Sequence, residues 1–179
     1  MMNTDFLSFG QRIDTENNLV ELWLTHGALD EIKSMDLSDK NVIMFGGGRG
    51  NKWLSERCKN LVVIERDSAW LDNDGSYTTL YRPCNDSNGA EEMYCEIPKD
   101  MKFDVVINDD AYRFQVIEKA LTMERPLLLI TDNWMQSYVF MCPKGVELLK
   151  DFDSHIHEQS DHLDNDGVNK WKTAIHFIL

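Results

Sequence analysis

The chain has 179 residues, of which 42% are hydrophobic and 27% charged, and it carries a formal net charge of −13. That length makes one domain with room for a sizeable core, and no apolar run approaches the ~20 residues needed to span a bilayer. The acidic balance, with no cluster of Lys and Arg, disfavours a nucleic-acid partner held through its phosphates by this chain alone; a small or cationic substrate, or a partner that supplies the basic surface, fits better, and the acceptor expected is a small molecule or a protein.

The first residues, Met1-Met2-Asn3-Thr4-Asp5, lack the basic stretch and apolar core of an export signal, so a cytoplasmic protein is expected. Cys58, Cys84, Cys95 and Cys142 are widely spaced and form no C-x-x-C pair, which points to reduced thiols.

Residues 1–40 read as N-terminal helices preceding a core over 41–179. Leu19, Val20, Leu22, Trp23 and Leu24 form an apolar patch of mixed helical spacing. Leu29, Ile32, Met35 and Leu37 predict a second short helix ending near Ser38-Asp39-Lys40. Trp23 and His26 are pocket candidates, although a helical Trp is more often core.

Asn41 to Phe45 is an apolar run that stops at Gly46-Gly47-Gly48-Arg49-Gly50. Asn51 to Lys59 follows with Trp53, Leu54 and Cys58 on one helical stripe, its N-terminus turned to the ligand. Leu61 to Ile64 is a second apolar run, closed by Glu65. This is a strand, glycine turn, helix, strand unit. Glycine lets a ligand approach the main chain without meeting a Cβ. An acid at the end of the second strand is placed to accept hydrogen bonds from both hydroxyls of a ribose. The spacing is G-x-G-x-G, so the dinucleotide fingerprint G-x-G-x-x-G/A fails at Asn51, and the P-loop fails for want of Gly-Lys-Ser/Thr.

Beyond Glu65, Tyr77 to Tyr81 reads as a short strand and Pro83 to Gly89 as a loop. Phe103 to Asp110 is a buried strand ending in carboxylates, with a helix from Tyr112 to Met123 after it. Pro126 to Asn133 is another apolar run ending in polar groups. Ser154 to Glu158 and Trp171 to Ile178 alternate around a polar turn, Asp161 to Gly167, and predict a hairpin. Strand alternating with helix predicts a parallel doubly wound sheet with ligands beyond the carboxyl ends of the strands. The Gly46 turn, Glu65, Asp109 and Asp132 all fall at such ends. His155 and His157 share one strand face, where a metal or base role competes with a plain outward polar face; His162 lies in the turn.

As a set, Met44-Phe45-Gly46-Gly47-Gly48-Arg49-Gly50-Asn51, the acid Glu65, Asn108-Asp109-Asp110-Ala111-Tyr112-Arg113 and Thr131-Asp132-Asn133 resemble the motifs of class I S-adenosylmethionine (SAM) dependent methyltransferases. The resemblance implies a three-layer, doubly wound α/β domain, its seven-stranded sheet mostly parallel and finished by an antiparallel C-terminal hairpin. It implies SAM as cofactor, held by Phe45, Gly46, Gly47, Gly48, Asn51, Glu65, Arg66 and Asp109, with Arg49 a further polar candidate and Asp86 or Asn88 beside the adenine. It offers Asp109, Asp110 and Asp132 as catalytic bases.

Metal-dependent catechol-type O-methyltransferases are similar at one more point. By that resemblance Asp109, Asp132 and Asn133 would hold Mg²⁺, whose preference is for hard oxygen ligands. Two departures stand out: Met44 replaces the acid that in this family precedes Phe-Gly, and Tyr112 stands where the metal-dependent enzymes carry a lysine base. Met44 keeps open a non-catalytic SAM- or nucleotide-binding module. An NAD-dependent oxidoreductase is disfavoured by Asn51 and by the terminal hairpin.

Overall fold

A computed structural model describes residues 11–71, 75–84, 91–124, 127–134, 143–160 and 170–179. The core is one seven-stranded sheet built from β3 (Asn41–Phe45), β4 (Asn60–Glu65), β5 (Thr78–Tyr81), β6 (Val105–Asn108), β7 (Leu127–Asp132), β8 (Asp153–Ser160) and β9 (Lys170–Ile178). Its order is β5-β4-β3-β6-β7-β9-β8. Strands β5 to β7 run parallel, and β9 joins β7 antiparallel with β8 outside it. The expected mostly parallel sheet with an antiparallel terminal hairpin is present. The central strands are apolar on both faces because both faces are covered.

One face packs Ile43, Phe45, Ile64, Val106 and Leu129 against α3 (Glu91–Tyr94), α4 (Arg113–Ala120) and α5 (Pro143–Leu149). The other packs Val42, Met44, Val63, Ile107 and Ile130 against α1 (His26–Ser34) and α2 (Asn51–Ser55). These are the three layers. No helix among the described residues is long and apolar enough to cross a membrane.

The N-terminal reading needs correction. The patch at Leu19–Leu24 is not helical: β1 (Ile13–Asp14) and β2 (Leu19–Val20) form an antiparallel hairpin. Asp14 makes it, its carboxylate accepting from the backbone N–H groups of Glu16 and Asn17, while Asn18 takes φ 54°. Residues 21–25 then run on as an irregular strap, and only His26–Ser34 is helical before Met35 turns extended. The helix after the glycines stops at Ser55 rather than Lys59. Arg57 leaves it, lies 4.3 Å over the Trp53 ring and pairs with Asp14 at 2.8 Å. Helices α3 and α5 had no clear periodic signal. Asp86, Asn88, His162 and the turn 161–167 lie outside the described residues.

Candidate functional site

Strand order reverses between β3 and β6, the position where open α/β sheets bind ligands. A cleft of about 270 Å³ lies there. The loop after β3 (Gly46, Gly47, Gly48) forms one wall, Glu65, Asp67 and Trp70 from the end of β4 another, and Asp109 and Asp110 from the end of β6 a third. The strap adds Leu22 and Trp23.

Two glycines are required by geometry. Gly46 has φ +91°, and a Cβ on it would stand 2.3 Å from the Asp109 carbonyl oxygen. It lets β3 turn back beneath the end of β6. Gly50 meets the strap instead: a Cβ there would fall 2.6 Å from Leu22 Cα. The last glycine of the motif therefore seats protein rather than ligand. At Gly47 a Cβ would come within 3.0 Å of Glu65 Oε2 and fill the space between the two walls.

Glu65 is buried and aimed across the cleft. Its Oε2 accepts from the Gly47 N–H and its Oε1 from the N–H groups of Arg66 and Asp67. A carboxylate offers about four lone-pair sites, so three amides fix it without exhausting it.

Several expected cofactor residues have other occupations. Phe45 faces the core, edge-on to Tyr94 with ring centroids 6.0 Å apart, because its position in β3 points to the α3–α4 side. Asn51 lies on the cleft floor, but its Oδ1 accepts from the Gly48 N–H at 3.1 Å and its amide reaches the Tyr77 hydroxyl, so it braces the glycine loop. Five residues of α2 are also too few for the helix-end attraction expected there. Arg66 lines the cleft, its Nε donating to Asp110 at 2.8 Å.

The three candidate bases separate. Asp109 borders the cleft with a quarter of its side chain exposed, and Arg113 donates to its Oδ1 at 3.1 Å. Burial, then the neighbouring Asp132 charge, hold its carboxyl well above the usual range. Asp110 is a bracket: it accepts from Arg66, from the Tyr94 hydroxyl and from the Ala111 N–H. Asp132 stands outside the cleft lining. It accepts from Trp171 Nε1 at 2.9 and 3.1 Å and from Thr173 Oγ1 at 2.7 Å. Burial raises it to about 6.

This arrangement does not fit Mg²⁺. Both carboxylate oxygens of Asp132 are taken by neutral donors. The Arg113 guanidinium already reaches both loops, donating to the carbonyls of Asp110 and Asp132 and to the Asp109 carboxylate. Among the described residues no three His, Cys, Asp or Glu side chains converge as metal ligands. Asn133 is held at φ 53°, where its value is conformational. His155 and His157, the other metal or base candidates, both bond the Glu31 carboxylate, at 2.7 and 2.6 Å, and tie β8 to α1 away from the cleft.

Sequence reasoning missed Trp70 and the strap's role as a wall. Trp70 sits in a single 3₁₀ turn at Ser68–Trp70, too short for a periodic signal. Trp23 was a candidate on the wrong premise of a helix.

No family model matches this sequence, and comparison with curated proteins returns no match. Solved structures do match in fold. The N-methyltransferase NodS from Bradyrhizobium japonicum WM9 has a TM-score of 0.59 at 12% identity over 83% of this chain and 93% of that one. A methyltransferase-like protein from Silicibacter pomeroyi DSS-3 has a TM-score of 0.56 at 15% identity, covering 88% of each chain. Spermidine synthase from Thermotoga maritima has a TM-score of 0.53 at 12% identity over 80% of this chain and 55% of its own. With the sheet order, the glycine turn and the terminal hairpin, these similarities give the chain the fold of the class I SAM-dependent methyltransferases.

Proposed function

We propose that the chain binds SAM in the cleft and transfers its methyl group to a small-molecule or protein acceptor. The observation that carries this reading is the pairing, at the switch point of the sheet, of a bare glycine wall with a buried glutamate. Structural neighbours that are methyltransferases support it at the level of fold.

When bound, SAM supplies a methyl group activated by its sulfonium. Glu65, fixed by three amides, accepts from the ribose hydroxyls. Trp70, nearly half exposed, covers the cleft beside Glu65 with an apolar ring. Asp109 faces the cofactor's amino group and answers for the acid that Met44 replaces. Its place on the cleft wall also makes it the candidate to take a proton from the acceptor. The strap and Trp23 narrow access to water on the acceptor side. Holding nucleophile and methyl in line is most of what the protein must contribute.

Met44 also forms part of the cleft wall, which favours a second reading, a SAM-binding module without turnover. Melting-temperature shifts with SAM, S-adenosylhomocysteine and NAD test the cofactor, since a ligand bound only by the native state raises the midpoint. Stabilisation by NAD alone would end the proposal. Release of S-adenosylhomocysteine over an acceptor panel separates the enzyme from the module.

A further inference from the structure

We infer that Arg49 is the anion-holding residue of the cleft. Its guanidinium takes the carboxylate at the amino-acid end of the cofactor, so the site selects a carboxylated cofactor over a decarboxylated one. The inference rests on the SAM reading and adds a specificity residue to it.

Three features of the glycine loop are suited to an anion: the amides of the three glycines after β3, the Asn51 side chain and the Arg49 side chain. The first two are engaged by the protein itself. Gly46 N–H donates to the Ile64 carbonyl at 2.9 Å. Gly47 N–H donates to the Glu65 carboxylate, and Gly48 N–H to Asn51 Oδ1 at 3.1 Å. Asn51 N–H donates back to the Gly48 carbonyl at 3.2 Å, and its side-chain amide reaches the Tyr77 hydroxyl. These amides therefore form no cradle for a ligand's negative charge. Of the two arginines that line the cleft, Arg66 donates to Asp110 at 2.8 Å. Arg49 is exposed, and among the described residues it makes no hydrogen bond or ion pair.

The backbone that carries Arg49 is fixed on both sides. Gly48 is pinned by Asn51, and Gly50 lies against the strap, where a Cβ would fall 2.6 Å from Leu22 Cα. A Cβ on Gly48 would meet nothing within 4 Å, so there is room for a ligand beside the arginine. A held stem with an unengaged head on the wall of a cleft is placed for a ligand. Charge selects which ligand group it meets. Glu65, Asp67, Asp109 and Asp110 share the lining, and a ligand carboxylate entering among them needs a counter-charge. Arg49 is the cleft arginine left to supply it. Its planar fork matches a carboxylate with two parallel N–H donors, a geometry that a lysine does not reproduce.

The test is calorimetric titration of the full chain with three thioethers. They are S-adenosylhomocysteine, its decarboxylated analogue, which keeps the amine, and 5′-methylthioadenosine, which lacks the whole amino-acid end. The native chain should bind S-adenosylhomocysteine about tenfold more tightly than the decarboxylated analogue, the worth of a charge-assisted hydrogen bond. Arg49→Met keeps an unbranched apolar stem; it should weaken S-adenosylhomocysteine about tenfold and leave the other two ligands within about twofold of their native affinity. Arg49→Lys, with the charge but without the fork, should recover part of the loss. Equal weakening of all three ligands in Arg49→Met would show that Arg49 shapes the loop, and native S-adenosylhomocysteine affinity in that variant would show that it makes no contact. Either result overturns the inference and leaves the cofactor reading standing. If the native chain binds none of the three, both fall together.

Discussion

Glu65 and His176 show how single side chains divide between function and stability. Glu65 is buried, yet three backbone amides satisfy it and fix its orientation at the cleft. Glu65→Ala should raise the dissociation constant for S-adenosylhomocysteine about 10- to 100-fold, the worth of hydrogen bonds to a charged group. Calorimetric titration reads this directly, and a variant that binds as the native chain does would retire the ribose assignment. His176 is buried with neither ring nitrogen hydrogen-bonded, packed 4.7 Å from Trp134. Burial lowers it to about 4. Its neutral form is favoured in the fold, so this contribution is present above the unfolded value near 6.5 and is lost as pH falls toward 4, about 3 kcal/mol in all. Asp132, raised to about 6, and Asp109, raised beside it, oppose it: both favour the protonated fold and destabilise as pH climbs past about 4. His176 offsets part of their effect in the native chain. His176→Phe should therefore steepen the fall in urea midpoint from pH 4.5 to 6.5, and should stabilise the fold near neutrality by about 1 kcal/mol by removing two unsatisfied nitrogens. A variant with the native pH profile would show that His176 does not titrate in this way.

At the scale of elements, the strap at residues 21–25 and the glycine loop depend on each other. The hairpin β1–β2 delivers the strap, Arg57 and Lys33 anchor its acidic partners Asp14 and Glu21, and Gly50 lets Leu22 lie against the start of α2. Gly50→Ala should destabilise by about 1–3 kcal/mol, because the new methyl meets backbone that cannot rotate away. It should also weaken S-adenosylhomocysteine, since the strap carries one wall of the cleft. Urea unfolding with calorimetry separates these effects; a stable variant with native affinity would mean that the strap yields without disturbing the site. Strand β8 matters differently. His155 and His157 clamp it to α1 through Glu31, so its histidines close the edge of the fold rather than equip the site.

For the whole molecule, the sheet supplies the crevice and the sequence a strong excess of negative charge. The net charge of −13 surrounds a cleft whose own lining is more acidic than basic. Such a field repels phosphate backbones and raises the local concentration of cations. Fluorescence anisotropy should accordingly find no binding of duplex DNA or of structured RNA at micromolar protein and physiological salt, even the non-specific binding of about 10⁻⁴–10⁻⁶ M shown by basic proteins. Tight, salt-dependent retention would reveal a basic surface outside the described residues and change the class of acceptor.

Much of this architecture was legible in the residues alone. The apolar runs Asn41–Phe45, Leu61–Ile64, Phe103–Asp110 and Pro126–Asn133 declared their strands because their central residues are buried on both faces and each stops abruptly at glycine or polar groups. The last strands declared themselves by alternation. Those patterns are local, and so they determined the sheet, the glycine turn and the place of Glu65. Tertiary structure alone decided what each polar group does. Whether Asn51 holds a ligand or a neighbouring amide, whether Asp110 and Asp132 are open bases or brackets, and whether Asp109 and Asp132 meet a metal or Arg113 all turn on partners distant in sequence. The strap was misread for the same reason: Leu19, Leu22 and Leu24 are apolar to meet the core in an extended path, and only a short Asx turn and a missing Cβ at Gly50, neither visible as periodicity, set that path.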